Sequence, residues 1–170
     1  MSEKKILIVV PPAGFNDQQY ETCRRFWEGR GCHKVSVASL ERGGARGEGG
    51  TAIWVDTALQ DVKYYDYDAI VFLGGEGARL LFDDQSARKL AKDAEYKVLG
   101  ASDSAVTLLA LAGALDGKKV TGSSESLSWL SEGGAIYVNG PIQIDDKLIT
   151  VRDASMSEQL ASAIVKALGK

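Results

Sequence analysis

The segment KVLGASDSAVTLLALAGALDGKKVTG, Lys97 to Gly122, carries an apolar strand into an apolar helix through the polar corner Ser102-Asp103-Ser104. Parallel α/β sheets mount nucleophiles at such corners, where a strained backbone aims the side chain past a helix N-terminus. Ser102, Asp103 and Ser104 are therefore the first candidates for chemistry. A carboxylate at this place can act as a nucleophile or a general base. Asp is also a good helix cap and tolerates left-handed backbone, so a purely structural role stays open beside the chemical one. No cysteine stands at the corner, and the single histidine, His33, lies far from it along the chain.

Other polar residues could join this corner. Asn16 sits in FNDQQY, a good N-cap before a helical stretch, and Gly74, Gly75, Glu76 and Arg79 fall in GGEGAR just after an apolar strand. Glycines at a strand end permit close backbone approach. Glu76 is the nearest candidate base, although Glu76 and Arg79 equally fit a solvated i, i+3 pair. GGEGAR lacks the dinucleotide spacing, and ERGGARGEGG (41–50) lacks the Gly-Lys-Ser/Thr ending of a phosphate loop, so no cofactor is expected. Cys23 and Cys32 form no C-x-x-C pair and read as reduced thiols. Cys32 beside His33 lacks the further ligands that a metal needs, so no metal is expected either.

The elements that would position these groups follow a βαβ pattern. Apolar, β-branched strand candidates occur at 5–10, 34–39, 68–74, 97–102 and 119–122, with helical stretches between them, as in a parallel sheet covered on both faces. In DQQYETCRRFWEGRG, Tyr20, Cys23 and Trp27, with Phe26, share one helical face, and Gly29–Gly31 can end the helix. QSARKLAKDAEY follows a capping Asp83-Asp84, and SMSEQLASAIVKALG follows Ser155 or Ser157 as its cap. IQIDDKLITV reads as a hairpin turning at Asp-Asp-Lys, an antiparallel extension at one sheet edge.

The 170 residues, 45% hydrophobic and 25% charged, fit a single domain spanning 1–170. A net charge of −3 argues against a nucleic-acid-binding surface, and ILIVV is too short for a membrane span. Cytoplasmic location is the expectation, without nucleic-acid or membrane partners.

Order and spacing of these motifs resemble the ThiJ/PfpI superfamily, relatives of the class I glutamine amidotransferase domain. ILIVVPPAGFND resembles the family's first strand and Phe-Glu-Asp turn. VSVASLERGGARGEGGTAIWVD resembles its second strand and hairpin, YDYDAIVFLGGEGA its Pro-Gly-Gly signature, and AGALDGKKVTG the segment after the nucleophile helix. The resemblance implies a flavodoxin-like three-layer sandwich, with a mostly parallel sheet and a small antiparallel extension, assembled as a homodimer or higher multiple. It places Asp103 where the family has its nucleophilic Cys, fourteen positions before Gly117. Ser104 then matches the His of proteolytic members and Asn16 the acidic partner. Arg79 matches a Glu that some members present across a subunit contact.

On this alignment neither Ser102 nor Ser104 falls on the nucleophile position. The Asn16 amide is expected to bond the Asp103 carboxylate, Arg79 to neutralise it, and the backbone N–H groups of Gly75 and Ser104 to form an oxyanion pocket. Asp103 is then expected at φ above zero, with its pKa below the usual value of about 3.9. Three functions remain open. One is a divergent small-molecule-binding role centred on Asp103, without cysteine-type peptidase or deglycase activity. The second is a small-molecule hydrolase, hydratase or lyase using Asp103 as base or nucleophile. The third is an interaction protein with a vestigial site. For the assembly, Ile53 and Trp54 in the glycine-rich hairpin are the apolar residues expected to be covered by a second subunit.

Overall fold

The computed structural model describes residues 2–30 and 33–169; Cys32 lies outside them. In chain order the elements are β1 (Lys5–Val9), β2 (Ala13–Phe15), α1 (Asp17–Arg25), β3 (Lys34–Ser39), β4 (Gly43–Gly47), β5 (Ala52–Val55), β6 (Thr57–Ala58) and β7 (Ala69–Phe72). Then follow α2 (Gln85–Asp93), β8 (Val98–Ser102), α3 (Val106–Leu111), β9 (Lys119–Val120), α4 (Leu127–Glu132), β10 (Ile136–Tyr137), β11 (Ile142–Asp145), β12 (Leu148–Val151) and α5 (Ser157–Leu168). A seven-stranded sheet in the order β11-β12-β8-β7-β1-β3-β6 forms the middle layer. It is parallel throughout except for β11, which runs antiparallel to β12.

Alternation along the buried strands sorts the core into two layers. Ile6 and Ile8 of β1 face one side with Tyr20, Cys23 and Trp27, and with Leu160 and Ile164 of α5. Leu7 and Val9 face the other side with Leu90 and Ala91 of α2 and Val106 and Leu109 of α3. This is the flavodoxin-like sandwich. Gly100 in β8 belongs to the first layer, where an added Cβ would lie 3.0 Å from Ile164 Cδ1. The absent side chain lets α5 settle onto the sheet.

The helical face of α1 forms as its spacing predicts, but the helix does not run regularly to its glycines. It passes into a π-helical turn, Phe26–Arg30. Trp27 in that turn is fully buried and donates from Nε1 to the Ala161 carbonyl at 3.0 Å. Asp84 caps α2, accepting from Ala87 N at 2.8 Å. At α5 the expected serine caps give way to Asp153, which accepts from Ser155 N at 3.0 Å in the turn before the helix; Ser157 Oγ instead donates to the Ala154 carbonyl at 2.6 Å.

Two further differences concern the sheet edges. The strand expected at 119–122 is only Lys119–Val120, and it pairs with β10 in a separate two-stranded ribbon, because the central sheet turns from β8 directly to β12. The hairpin at 142–151 forms, its two-residue turn placing Asp146 at φ 56°, but only β11 is the antiparallel extension. The glycine-rich segment builds β4 and β5, which pair with each other, and β4 pairs on its other side with β2 to make a separate three-stranded sheet. No helix among the described residues is long and apolar enough to cross a membrane.

Trp27 ties α1 to α5 by packing and by one hydrogen bond. Replacing it with Ala is expected to cost about 3–5 kcal/mol of unfolding free energy, read from urea denaturation, since a cavity remains and the hydrogen bond to α5 is lost.

Candidate functional site

β8 ends at Ser102 in extended backbone, and Asp103 follows at φ 58° before a 3-10 turn leads into α3. This is the expected left-handed corner. Asp103 is half-buried at the carboxyl edge of the sheet, and Gly74 sits directly beneath it. A Cβ on Gly74 would lie 2.7 Å from the Ser102 carbonyl oxygen and 2.8 Å from Asp103 Cβ. The corner therefore rests on a residue that has to be glycine.

A buried polar clasp holds that contact. Gln19 of α1 accepts through Oε1 from Gly74 N at 2.9 Å and from Ser102 Oγ at 2.5 Å, and Gly74 N also reaches Ser102 Oγ at 3.2 Å. Ser102 is fully buried and committed to this clasp. Ser104 Oγ donates to the Gly75 carbonyl at 3.2 Å, joining the other side of the corner to the same turn. Gly75 itself adopts φ 132°, and a Cβ there would lie 2.4 Å from the Gly14 carbonyl oxygen and 2.6 Å from Asn16 N.

Asn16 lies beside this turn, yet its side chain is engaged elsewhere than on Asp103. Its Oδ1 caps α1 by accepting from Gln19 N at 3.0 Å, and its Nδ2 donates to Glu48 Oε1 at 3.2 Å. Glu48 Oε2 in turn accepts from Glu76 N at 2.9 Å. Glu76 thus contributes a backbone donor while its side chain is exposed. Arg79 is exposed in the short turn Ala78–Leu81 and forms no ion pair among the described residues.

The electrostatics reverse the expected direction. The Asp103 carboxyl is raised from 3.8 to about 6, chiefly by burial and then by the negative charge of Glu125. The Ser104 backbone N–H opposes the rise, and Asp153 and Glu48 add to it. The expectation of a lowered pKa assumed an Asn16 donor and an Arg79 counter-charge. In the structure the Asn amide serves Glu48, and the surrounding charges are carboxylates. Of the two oxyanion donors expected, the Ser104 N–H serves Asp103's own carboxylate, while Gly75 N–H has no partner among the described residues.

The other reactive residue types lie away from this corner. His33 precedes β3 at the opposite edge of the sheet, where Nδ1 accepts from Lys4 N at 3.0 Å and burial lowers its pKa. Cys23 is buried, and its thiol is pushed up to about 12. No group of three or more His, Cys, Asp or Glu among the described residues is placed to hold a metal ion. Sequence reasoning missed Gln19, Glu48, Glu125 and Asp153. The one available signal for Glu48 was a charged residue flanked by glycines, in a hairpin read only as a turn.

A flavodoxin-like sheet with a left-handed corner over a paired-glycine turn defines a class. The sequence profile of the DJ-1/PfpI family matches residues 4–167. The chain belongs to that family. An uncharacterized protein of Methanocaldococcus jannaschii is 31% identical over 175 residues, covering 100% of this chain and 85% of that protein. A deglycase of Thermococcus kodakarensis is 26% identical over 150 residues, covering 86% of this chain and 89% of the deglycase. The crystal structure of a ThiJ/PfpI domain protein from Brachyspira murdochii superposes with a TM-score of 0.93 at 27% identity, covering 99% of this chain and 98% of that one. Drosophila melanogaster DJ-1beta gives a TM-score of 0.87 at 25% identity, covering 99% and 92%.

Because folding raises the Asp103 pKa, its proton stabilises the fold fully below about pH 4, and this contribution is lost as pH rises through about 6. Asp103→Asn stays neutral at every pH. At pH 7.5 it is expected to be more stable than wild type by about 1 kcal/mol, after allowing for solvent screening of a half-buried group. The difference should vanish near pH 4, as followed by thermal unfolding across that range.

Proposed function

We propose that this chain is a DJ-1/PfpI protein without cysteine chemistry at the corner, in which Asp103 takes the nucleophile's place and anchors a small polar molecule, neutral or cationic. The observation that carries this reading is the left-handed Asp103 at the carboxyl edge of the sheet, with its carboxyl raised to about 6. Open α/β sheets hold ligands at that edge. Glu125, Asp153 and Glu48 make the surroundings of Asp103 negative, which disfavours carboxylates and phosphates as ligands. Asp103 donates a hydrogen bond when protonated and accepts when ionised, while Gly75 N–H offers a neighbouring donor.

A second reading has its own support. A carboxyl titrating near 6 exchanges its proton at neutral pH, as a general acid or base must. On that reading the chain is a small-molecule hydrolase, hydratase or lyase, with Gly75 N–H as the oxyanion donor. The deglycase of Thermococcus kodakarensis lends its name to neither reading, since Cys23, the one cysteine among the described residues, is buried and unreactive.

The same proposal includes a homodimer or higher assembly of single-domain, cytoplasmic subunits. Trp54 on β5 is 60% exposed beside a partly buried Ile53. A covering subunit would remove that apolar face from water. Light scattering at micromolar concentration is expected to give a dimer or larger, and Trp54→Lys to shift it toward monomer.

Ligand class is tested by titrating 15N-labelled protein with ethanolamine, glycolaldehyde and acetate. The amides of Gly75, Asp103 and Ser104 are expected to shift with the first two and not with acetate, and to stop shifting in Asp103→Ala. Preferential acetate binding at these amides would sink the reading. Thiol reagents are expected to leave the corner unlabelled.

A further inference from the structure

The hairpin between β4 and β5 brings a second carboxylate to the turn beneath Asp103. Glu48 N donates to the Phe15 carbonyl at 2.9 Å, which fixes the tip against β2. Both Glu48 side-chain oxygens accept from N–H donors of the site floor, Asn16 Nδ2 at 3.2 Å and Glu76 N at 2.9 Å. That is the bonding of a carboxylate. One residue before Glu76 lies Gly75, and before it Gly74, which carries Asp103. Glu48 is thereby tied to the same turn on which the corner rests.

Asp17, the first residue of α1, holds the hairpin in place. Its Oδ1 accepts from Gly49 N at 2.8 Å and its Oδ2 from Thr51 N at 2.9 Å. Bonds from Thr51 and Gly49 lower its pKa and keep it ionised. A Cβ on Gly47 would lie 2.4 Å from Asp17 Oδ1, and one on Gly49 3.2 Å from its carboxyl carbon. The two glycines flanking Glu48 therefore leave room for the Asp17 carboxylate to enter the tip. Such a bidentate, charge-assisted grip sets orientation as well as adding stability.

We propose that Glu48 is the second carboxylate of the Asp103 site and that Asp17 is its positioning residue. This rests on the reading of Asp103 as the ligand-binding group. It narrows the ligand to a molecule presenting an acceptor beside a hydroxyl or ammonium donor: the acceptor meets protonated Asp103, and the donor meets Glu48. Glu76 N and Asn16 Nδ2 hold Glu48 in the orientation this pairing needs.

Carboxyl 13C NMR titration of Asp103 in wild type, Glu48→Gln and Asp17→Asn tests the assignment. Asp103 also faces Glu125 and Asp153, so loss of the Glu48 charge should lower its midpoint only partly, by about half a pH unit for one like charge within the screening length. Asp17→Asn keeps Glu48 charged but releases one of the two backbone donors, and is expected to lower the midpoint by less. In both variants the glycolaldehyde-induced amide shifts at Gly75 and Ser104 should weaken. A Glu48 that merely latches the hairpin would still lower the Asp103 midpoint through its charge but leave the glycolaldehyde-induced amide shifts unchanged, and that result overturns the assignment. If Glu48→Gln fails to fold, the Asp17→Asn variant decides alone. A wild-type midpoint near 3.8 fails the reading of Asp103 itself, whereas a wild-type midpoint near 6 with amide shifts unchanged in both variants fails only the role given to Glu48.

Discussion

No Cβ fits between the turn after β7 and the chain that surrounds it. At Gly74 it would strike the Ser102 carbonyl, at Gly75 the Gly14 carbonyl, and at Gly77 the Ala13 carbonyl at 1.7 Å. These contacts bring three backbones together: the end of β8, the turn after β7, and the segment from β2 into α1. Asn16 N donates to the Gly74 carbonyl at 2.8 Å and Gly77 N to the Gly14 carbonyl at 2.9 Å, so polar groups that the approach desolvates are paired. Everything at the candidate site hangs on this approach, because it sets where Asp103 stands and which backbone donors lie beside it.

The same compactness explains the electrostatics. Packing Asp103 over Gly74 removes water from one side of its carboxyl, and burial is the largest influence on it. A lone N–H donor from Ser104 cannot offset that loss together with repulsion from Glu125. Asn16 would have been a second donor. Its amide serves Glu48 instead, because the hairpin tip, gripped by Asp17, brings that carboxylate within reach first.

The fold was legible because the signals that make it are local. Strands β1, β3, β7 and β8 are runs of β-branched and aliphatic residues, and the left-handed corner at Asp103 stands where the family resemblance implied it. The glycine pair likewise marked the close approach. What escaped the sequence was the pairing of residues distant along the chain. Glu48 stands 32 positions from Asn16 and 28 from Glu76, in a segment whose glycines signal a turn and give no sign of what the turn touches. Nothing in the sequence sets Gln19 apart from the other polar residues of α1, although it is fully buried and clasps two strand ends. The error in the Asp103 pKa has the same origin: residue types suggested a donor and a counter-charge, and only tertiary placement shows that neither faces the carboxyl.

Burial acts on two acids of this chain with different consequences. At Cys23 burial acts unopposed, and the thiol, raised to about 12, donates to the Ser157 carbonyl inside the core. Its thiolate is out of reach at any physiological pH. At Asp103 burial is partial and is opposed by the Ser104 N–H, so the carboxyl comes to rest near 6, where its two forms coexist close to neutrality. A thiol at a corner so surrounded by carboxylates would meet the same repulsion, and its nucleophilic anion would be the form disfavoured. A carboxyl gains from that environment what a thiol loses, since the push that suppresses an anion is also what gives a carboxylic acid a proton to share.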